Sequence, residues 1–463
     1  MNQWAGKHVA VVGLGVSNLP LIRYLCKHGA VVSGRDRKSA EQLGERYNAL
    51  EQLGVECQLG EDYLEDLHLY DAVFLTPGIP KHLPEITSLI GKVPILSEVA
   101  LVLQLAKAPV YGITGSSGKT TTTTLVGEML RASGIHCHVG GNIGVPLIEQ
   151  VEDIPPDQPI VMELSSFQLE LLNQSPHGAL ITNISENHLD VHLTMDNYIR
   201  AKKQIYLHQK PSDVAVFNYD DPITRAMAAE AKSQVFFFSS QFEVPQGMYV
   251  DGSGDLIYRD HDGQVPVLNK QDIRLMGEHN VLNIMAAALL AHNAGANWES
   301  IVRVAREFKG VAHRLEHIAT IRGVDYYNDS IATSPTRTIA GIKAFNQPII
   351  LIAGGYDKKL SFDELAALIG ERVKAVVLFG QTAAQIQQAI ELKCPDYHQI
   401  YRVLDLPAAV QLAAKLAEPN DVVLLSPACA SYDQYPNFEV RGDHFRQIVH
   451  NLLEGLGTHE MEV

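Results

Sequence analysis

Short β-branched and aliphatic runs alternate with amphipathic stretches along the whole chain, the pattern of strands and helices layered around mainly parallel sheets. The alternation falls into three blocks. The first places strands near residues 8–12, 30–33 and 72–75 and closes around Leu96, Ser97 and Glu98, which predicts a Rossmann-type unit. The second opens with a strand at 110–113, feeds a glycine loop and a helical run at 121–132, and continues through strands at 160–163, 180–183 and 214–218. Between about 242 and 271 Gly, Asp and Pro accumulate among short alternating runs, predicting a small β excursion before a helix at 278–292. The third block has strands at 349–353, 375–379 and 422–425 with helical patterns at 362–372, 383–392 and 408–416 between them, a second open α/β sheet. The expectation is an α/β protein of three domains: Rossmann-like over 1–98, a central P-loop ATPase domain over 99–310, and Rossmann-like over 311–463.

Composition narrows the class without changing this picture. At 463 residues, 46% apolar and 19% charged, the chain has the proportions of a folded globular protein with a core in each domain. A net charge of -16 with no long basic run argues against a protein that tracks a nucleic-acid backbone, so anionic ligands must be held by local features. Five scattered cysteines fit neither a zinc site nor a disulfide framework. The N-terminus runs straight into a strand pattern with no secretory leader, and no apolar run reaches the length of a membrane span. The expected setting is the cytoplasm, with no membrane and no nucleic-acid partner, and the expected state is a monomer.

The first chemical signal follows the strand at 110–113. Thr114-Gly115-Ser116-Ser117-Gly118-Lys119-Thr120 leads into the helical run that Thr121 opens, giving strand, glycine loop and helix in succession. Glycines let backbone amides converge on phosphate oxygens, Lys119 can reach the outer phosphates, and the Thr120 hydroxyl can sit on Mg²⁺. The usual pattern would place its first glycine at 113, where this chain has Ile113, so the loop is a shorter variant. It predicts ATP binding by Gly115, Ser116, Ser117, Gly118, Lys119, Thr120 and Thr121, and nothing about the reaction.

Further residues stand at neighbouring strand ends. Glu163 closes the apolar run 160–162 and suits a Mg²⁺ ligand at the sheet edge beside the loop. His188 follows the next strand. Lys202 and Lys203 lie on a helical run after Tyr198, where spacing alone favours a solvated face. Gly13-Leu14-Gly15 near the N-terminus, with Asn18 in place of a third glycine, is a weak dinucleotide fingerprint that also leaves a nicotinamide reading open.

Taken in order, Thr114-Gly115-x-x-Gly118-Lys119-Thr120, Gly141-Asn142-Ile143-Gly144, Glu163, Asn187-His188-Leu189-Asp190, Lys202, His279-Asn280-x-x-Asn283, His313-Arg314, Asn328-Asp329-Ser330 and the tail from Leu425 to Gly442 resemble the Mur ligases of peptidoglycan synthesis. The tail, Ser426-Pro427-Ala428-Cys429-Ala430-Ser431-Tyr432-Asp433-Gln434-Tyr435 with Asn437-Phe438-Glu439-x-Arg441-Gly442, is most similar to the branch that joins D-glutamate to UDP-N-acetylmuramoyl-L-alanine.

That resemblance implies an ATP-dependent amide ligase working through an acyl phosphate, with small-molecule substrates, Mg²⁺ (two ions) and domain closure during the cycle. It implies a UDP-substrate site of Leu14, Val16, Ser17, Asp36, Arg37, Gly78, Asn142 and His188. Asn280, Asn283, Arg314 and Asp329 would extend the ATP site. Thr120 and Glu163 would bind one Mg²⁺, and His188 with a carbamylated Lys202 the second. Lys119, His188 and Lys202 would be the catalytic set. Thr333, Lys358, Ser431 and Phe438 would hold the amino acid, with Lys359 the near-equal alternative to Lys358. The family commonly has Asn-Asp-Ser-Lys-Ala-Thr where this chain reads Asn328-Asp329-Ser330-Ile331-Ala332-Thr333, so a lysine is replaced by Ile331. Three alternatives stay open: an L-glutamate-adding variant, a related Mur-type ligase with another acceptor, and a P-loop ATP-binding regulator that ligates nothing.

Overall fold

The computed structural model describes residues 3–15, 18–142, 146–186, 189–275, 277–358 and 360–459, with backbone only at 189–190 and 454–459. Its strands form three sheets. In the first, β1 (His8–Val12), β2 (Val31–Asp36), β3 (Glu56–Leu59), β4 (Ala72–Leu75) and β5 (Ile95–Leu96) run parallel in the order β3-β2-β1-β4-β5. The second comprises β6 (Val110–Thr114), β7 (His138–Gly141), β8 (Ile160–Glu163), β9 (Gly178–Ile181), β10 (Val214–Asn218), β11 (Gln234–Ser239), β12 (Gly247–Val250), β13 (Asp255–Asp260) and β14 (Gly263–Asn269). Their order is β14-β13-β12-β11-β10-β9-β6-β8-β7, parallel as far as β12 and antiparallel through the last hairpins. The third joins β15 (Glu316–Ile321), β16 (Val324–Asn328), β17 (Ile349–Gly354), β18 (Val373–Phe379), β19 (Ile400–Arg402) and β20 (Val422–Leu425) in the order β15-β16-β20-β17-β18-β19. The three-domain α/β architecture expected from the pattern is therefore present.

Strands buried on both faces are apolar throughout rather than alternating, because helices cover each side of a parallel sheet. All five residues of β6 and all four of β8 are buried. Register then sets the site: Ile113 of β6 lies level with Glu163 of β8, and Thr114 level with Ile181 of β9. Three strand ends thus deliver their next residues to one edge. The helix Lys119–Ala132 packs on this sheet beside the helix Glu278–Asn293, whose Ala286, Ala287 and Ala288 are all buried. A helix apolar on every side is sandwiched rather than amphipathic.

The first two sheets share one apolar core, in which Leu21, Ile22 and Leu101 belong with Leu147, Ile148 and Ile205. The chain divides into two compact units, Met1–Phe308 and Lys309–Val463. In the second unit one core lies on each face of its sheet, around Leu351, Leu378 and Leu424 on one side and Ile350, Val377 and Phe445 on the other. Among the described residues no helix is long and apolar enough to cross a membrane.

Several elements differ from the sequence pattern. The helix after the loop begins at Lys119 rather than 121, and β9 spans Gly178–Ile181 rather than 180–183. Strands β3, β5, β7, β11, β15, β16 and β19 and the 22-residue helix Phe438–His459 were not anticipated. Strands β3, β7, β15 and β19 are sheet edges with part-exposed residues, so they carry little of the apolar signal that marks a buried strand.

Candidate active site

The loop after β6 is held in place from β9. Thr182 Oγ1 donates to the Ser117 carbonyl at 2.6 Å, the Ser116 amide donates to the Asn183 carbonyl at 2.9 Å, and the Ser117 amide donates to Asn183 Oδ1 at 3.0 Å. Ser116 Oγ donates to the Ser185 carbonyl and lies 3.0 Å from Tyr198 Oη. Gly115 has φ 148° and Gly118 φ 79°, and a Cβ on Gly115 would stand 1.8 Å from Thr182 Oγ1. Only glycine satisfies both the conformation and the close approach. Gly118 is the N-cap of the Lys119–Ala132 helix, whose free amides and dipole favour an anion at that end.

Lys119 and Lys202 meet over the same carbonyl. Each ammonium donates to the Gly115 oxygen at 2.9 Å; Lys119 also donates to the Ser116 carbonyl at 3.2 Å, and Lys202 to Thr114 Oγ1 at 3.2 Å. Lys202 is 1% exposed and its Nζ lies 4.8 Å from the Tyr198 ring centroid. Burial, with Lys119 alongside, holds its ammonium well below the ordinary lysine range, and Glu163 only partly opposes this. The helix Met195–Leu207 explains the choice of lysine: Tyr198, Ala201, Lys202 and Ile205 share its buried face, whereas Lys203 points outward and pairs with Glu230.

Glu163 and Thr120 form a second cluster. Thr120 Oγ1 donates to Glu163 Oε2 at 2.7 Å and Asn142 Nδ2 donates to Oε1 at 2.9 Å, with Glu163 2% exposed. A buried carboxylate and hydroxyl side by side are oxygen donors of the kind a hard cation accepts, so these residues fit one Mg²⁺. Lys202 as an ammonium is no metal ligand. Asn283 lies against the loop, its Oδ1 3.5 Å from Thr122 Oγ1 and its amide 3.3 Å from Asn280 Oδ1. Val16, Ser17 and His188 lie outside the described residues, as does Lys359.

At the edge of the first sheet, the Leu14 amide donates to Asp36 Oδ2 at 2.7 Å and the Gly13 amide to the Arg35 carbonyl. Asn18 Nδ2 donates to the Gly13 carbonyl at 2.6 Å, so the residue in place of a third glycine closes the turn by hydrogen bonding. The Thr76 amide donates to the Val12 carbonyl, which brings the 76–78 segment, with its exposed Gly78, beside the loop. Arg37 is exposed and paired with Glu61.

Within the second unit a further group forms around β16 and its continuation. Lys358 Nζ donates to the Thr333 carbonyl and Oγ1, each at 3.2 Å. Ser330 Oγ donates to the Phe438 carbonyl and accepts from the fully buried Arg441, which also donates to the carbonyls of Ser330, Cys429 and Ala430. Arg441 therefore ties the Asn328–Thr333 segment to the stretch that carries buried Ser431. Asp329 accepts from Ser426 Oγ at 2.8 Å and from the Leu315 amide at 3.3 Å, and burial pushes its carboxyl up to about 6. Arg314 is exposed and close enough to lower that carboxyl in part. His313 belongs to the interior of this unit: it is buried, its Nδ1 accepts from Asn328 Nδ2 at 3.1 Å, and it lies edge-on to Phe438.

Comparison with known proteins adds a decisive observation. Residues 113–291 match the Mur ligase middle domain, 313–429 the Mur ligase glutamate ligase domain, and 7–95 the Mur ligase MurD-like N-terminal domain. The chain is 50% identical over 449 residues to UDP-N-acetylmuramoylalanine--D-glutamate ligase of Symbiobacterium thermophilum, covering 96% of this chain and 98% of that one. It belongs to the Mur ligase family. The enzyme of the same name from Clostridium novyi is 44% identical over 450 residues, 96% of this chain and 97% of its own. Among solved structures, MurF from Acinetobacter baumannii superposes with a TM-score of 0.53 at 19% identity over 95% of this chain and 93% of that one. MurC from Thermotoga maritima gives 0.51 at 20% identity over 96% and 99%. These two share the fold.

In this Mur ligase the structure brings together Gly115 to Thr120, Glu163, Asn142, Lys202 and Asn283 in one unit, and Asp329, Thr333, Lys358, Ser431 and Phe438 in the other. Sequence reasoning passed over Thr182, Asn183 and Tyr198 as site residues, although they carry the loop. Their signal was positional: Thr182 and Asn183 follow a strand hydrogen-bonded to the loop's own strand. Arg441 was quoted only as part of the tail, since nothing in spacing distinguishes a buried arginine from a surface one.

Proposed function

We propose that this Mur ligase joins D-glutamate to UDP-N-acetylmuramoyl-L-alanine at the expense of ATP, in the cytoplasm, as a monomer and without membrane or nucleic-acid partners. The observation that carries the reading is near full-length identity of 50% to an enzyme of that name, together with a loop in which Lys119, Lys202 and the Thr120–Glu163 pair converge. The ATP-dependent, Mg²⁺-requiring chemistry follows from the family. The domain bounds 1–98, 99–310 and 311–463 belong to the same proposal.

In this reading the loop amides and Lys119 hold the ATP phosphates, Asn280 and Asn283 sit towards the base, and Arg314 and Asp329 are further nucleotide-binding residues. The substrate carboxylate attacks the γ-phosphate, an acyl phosphate forms and ADP leaves. The amine of the amino acid then adds to the acyl carbon, and the tetrahedral intermediate expels phosphate. Lys119 offsets charge on the transferring group, a role preorganised by its bonds to the loop carbonyls. Thr120 and Glu163 would hold one Mg²⁺, which supplies charge neutralisation on the phosphates when bound. Lys202, whose charged form burial disfavours, would in its neutral form have the lone pair needed to add CO₂ and lose a proton, giving an anionic carbamate that with His188 suits a second ion. Leu14, Val16, Ser17, Asp36, Arg37, Gly78 and Asn142 receive the UDP part, and Thr333, Lys358, Ser431 and Phe438 the amino acid.

Phosphate release measured with UDP-N-acetylmuramoyl-L-alanine and ATP tests this. Release should require an added amino acid, with D-glutamate preferred over L-glutamate. Turnover indifferent to the muramyl nucleotide would instead make the protein an ATP-binding regulator.

A further inference from the structure

The segment 330–333 is met by three cations, one on each of three carbonyls. Arg441 donates to the Ser330 oxygen at 2.9 Å, Arg337 Nη1 to the Ile331 oxygen at 3.1 Å, and Lys358 to the Thr333 oxygen at 3.2 Å. Arg441 commits its donors to protein oxygens and is fully buried, so its work is to join the two segments. Arg337 differs. It is exposed, it makes that one bond through one nitrogen, and among the described residues no carboxylate forms an ion pair with it.

Its place is costly for an arginine. Arg337 lies in the first turn of the helix Pro335–Lys343, where the dipole repels a cation and no acidic residue offsets it. It also stands close enough to Lys358 to help depress that ammonium, after burial, so two like charges are held near one another beside Thr333. Helix energetics do not account for this, and the one carboxylate shown to feel the Arg337 charge, buried Asp329, makes no ion pair with it. An anion between the two would account for it, and a dicarboxylic amino acid brings two carboxylates. Position 331 of this chain, where an aliphatic side chain provides no charge, adjoins the same spot.

We infer that Arg337 is a specificity-determining residue of the acceptor site, placing beside Lys358 the positive charge that Ile331 lacks and pairing it with a carboxylate of the incoming amino acid. The inference rests on the D-glutamate reading. The full-length wild type is therefore assayed first for phosphate release with UDP-N-acetylmuramoyl-L-alanine, ATP and D-glutamate, and no turnover there refutes that reading and not the role of Arg337. With turnover in hand, Arg337→Ala should raise the KM for D-glutamate about 10-fold or more while the KM for ATP stays within about 2-fold, the loss of one charge-assisted hydrogen bond. Adding Ile331→Lys to Arg337→Ala should recover most of the affinity, and Arg337→Lys should retain it. An unchanged KM for D-glutamate overturns the proposal. A rise confined to ATP also overturns it and assigns the guanidinium to a phosphate. The side chain is exposed, so unchanged melting is expected; if the alanine variant unfolds, Arg337→Gln carries the same comparison.

Discussion

Two lysines donating to one carbonyl oxygen create the electrostatic tension of the loop. Lys119 must stay charged to meet phosphate, and its field together with burial favours neutral Lys202. A neutral buried amine is what carbamate formation requires. Lys202→Ala should therefore lose activity by about 100-fold or more, and millimolar short-chain carboxylates should restore part of it by occupying the vacated oxygen positions. Full activity in the alanine variant would remove Lys202 from the mechanism. Lys119→Ala should lose nearly all phosphate release, and wild-type rates would overturn the loop assignment. Thr120→Val leaves Glu163 buried without its 2.7 Å donor, so the Mg²⁺ needed for half-maximal rate should rise while the fold persists. At this scale the sequence was partly legible. Glycines, Lys119 and Thr120 are adjacent in the chain and needed no fold to be read. Spacing alone did not separate Lys202 from Lys203; the resemblance named Lys202, and the buried face of the helix Met195–Leu207 gives the physical reason.

Strand ends and helix starts do the positioning at the next scale. Gly115→Ala sets a Cβ 1.8 Å from Thr182 Oγ1 in a backbone conformation that disfavours side chains, so stability should fall by about 1–3 kcal/mol. Nucleotide affinity should fall with it, checked by denaturant unfolding and by titration with ATP. The helix Glu98–Leu105 supplies a pH test. Burial pushes the Glu98 carboxyl up to about 7. A carboxyl raised on folding favours the folded state fully below its ordinary pKa, and that contribution is lost as pH rises through about 7. Glu98→Gln should thus be more stable than wild type at pH 8, by on the order of 1–3 kcal/mol, with the difference vanishing towards pH 4. A pH-independent difference would place the effect in packing instead. Elements buried on both faces, such as β6, β8 and β17, were legible because burial leaves an unbroken apolar run. Edge strands such as β3 and β7 were not, since most of their residues are only part-buried and their types are mixed.

The whole molecule divides unequally. The first two sheets share one core between them and each keeps a further core on its other face, whereas residues 309–463 keep two cores of their own. Calorimetry of the full chain should resolve two transitions, and a 309–463 fragment should reproduce one of them. A single transition with an unfolded fragment would mean that the second unit depends on the first. Saturating ATP should move the transition of residues 1–308 upward by more, because the loop, Glu163 and Lys202 all belong there.

Local chemistry written in consecutive residues was determined by the sequence alone: the phosphate loop, the acidic strand end at Glu163 and the α/β alternation. The phosphate loop is readable because its parts act through adjacent backbone amides. Tertiary structure decided what depends on burial and on residues far apart in the chain. It made Lys202 the interior lysine, turned Thr182 and Asn183 into supports of the loop, and used buried Arg441 to fasten Ser330 to Cys429 and Ala430. Hydrogen bonds across 65 and 111 positions leave no periodic trace, because their partners are neighbours only after the sheets have formed.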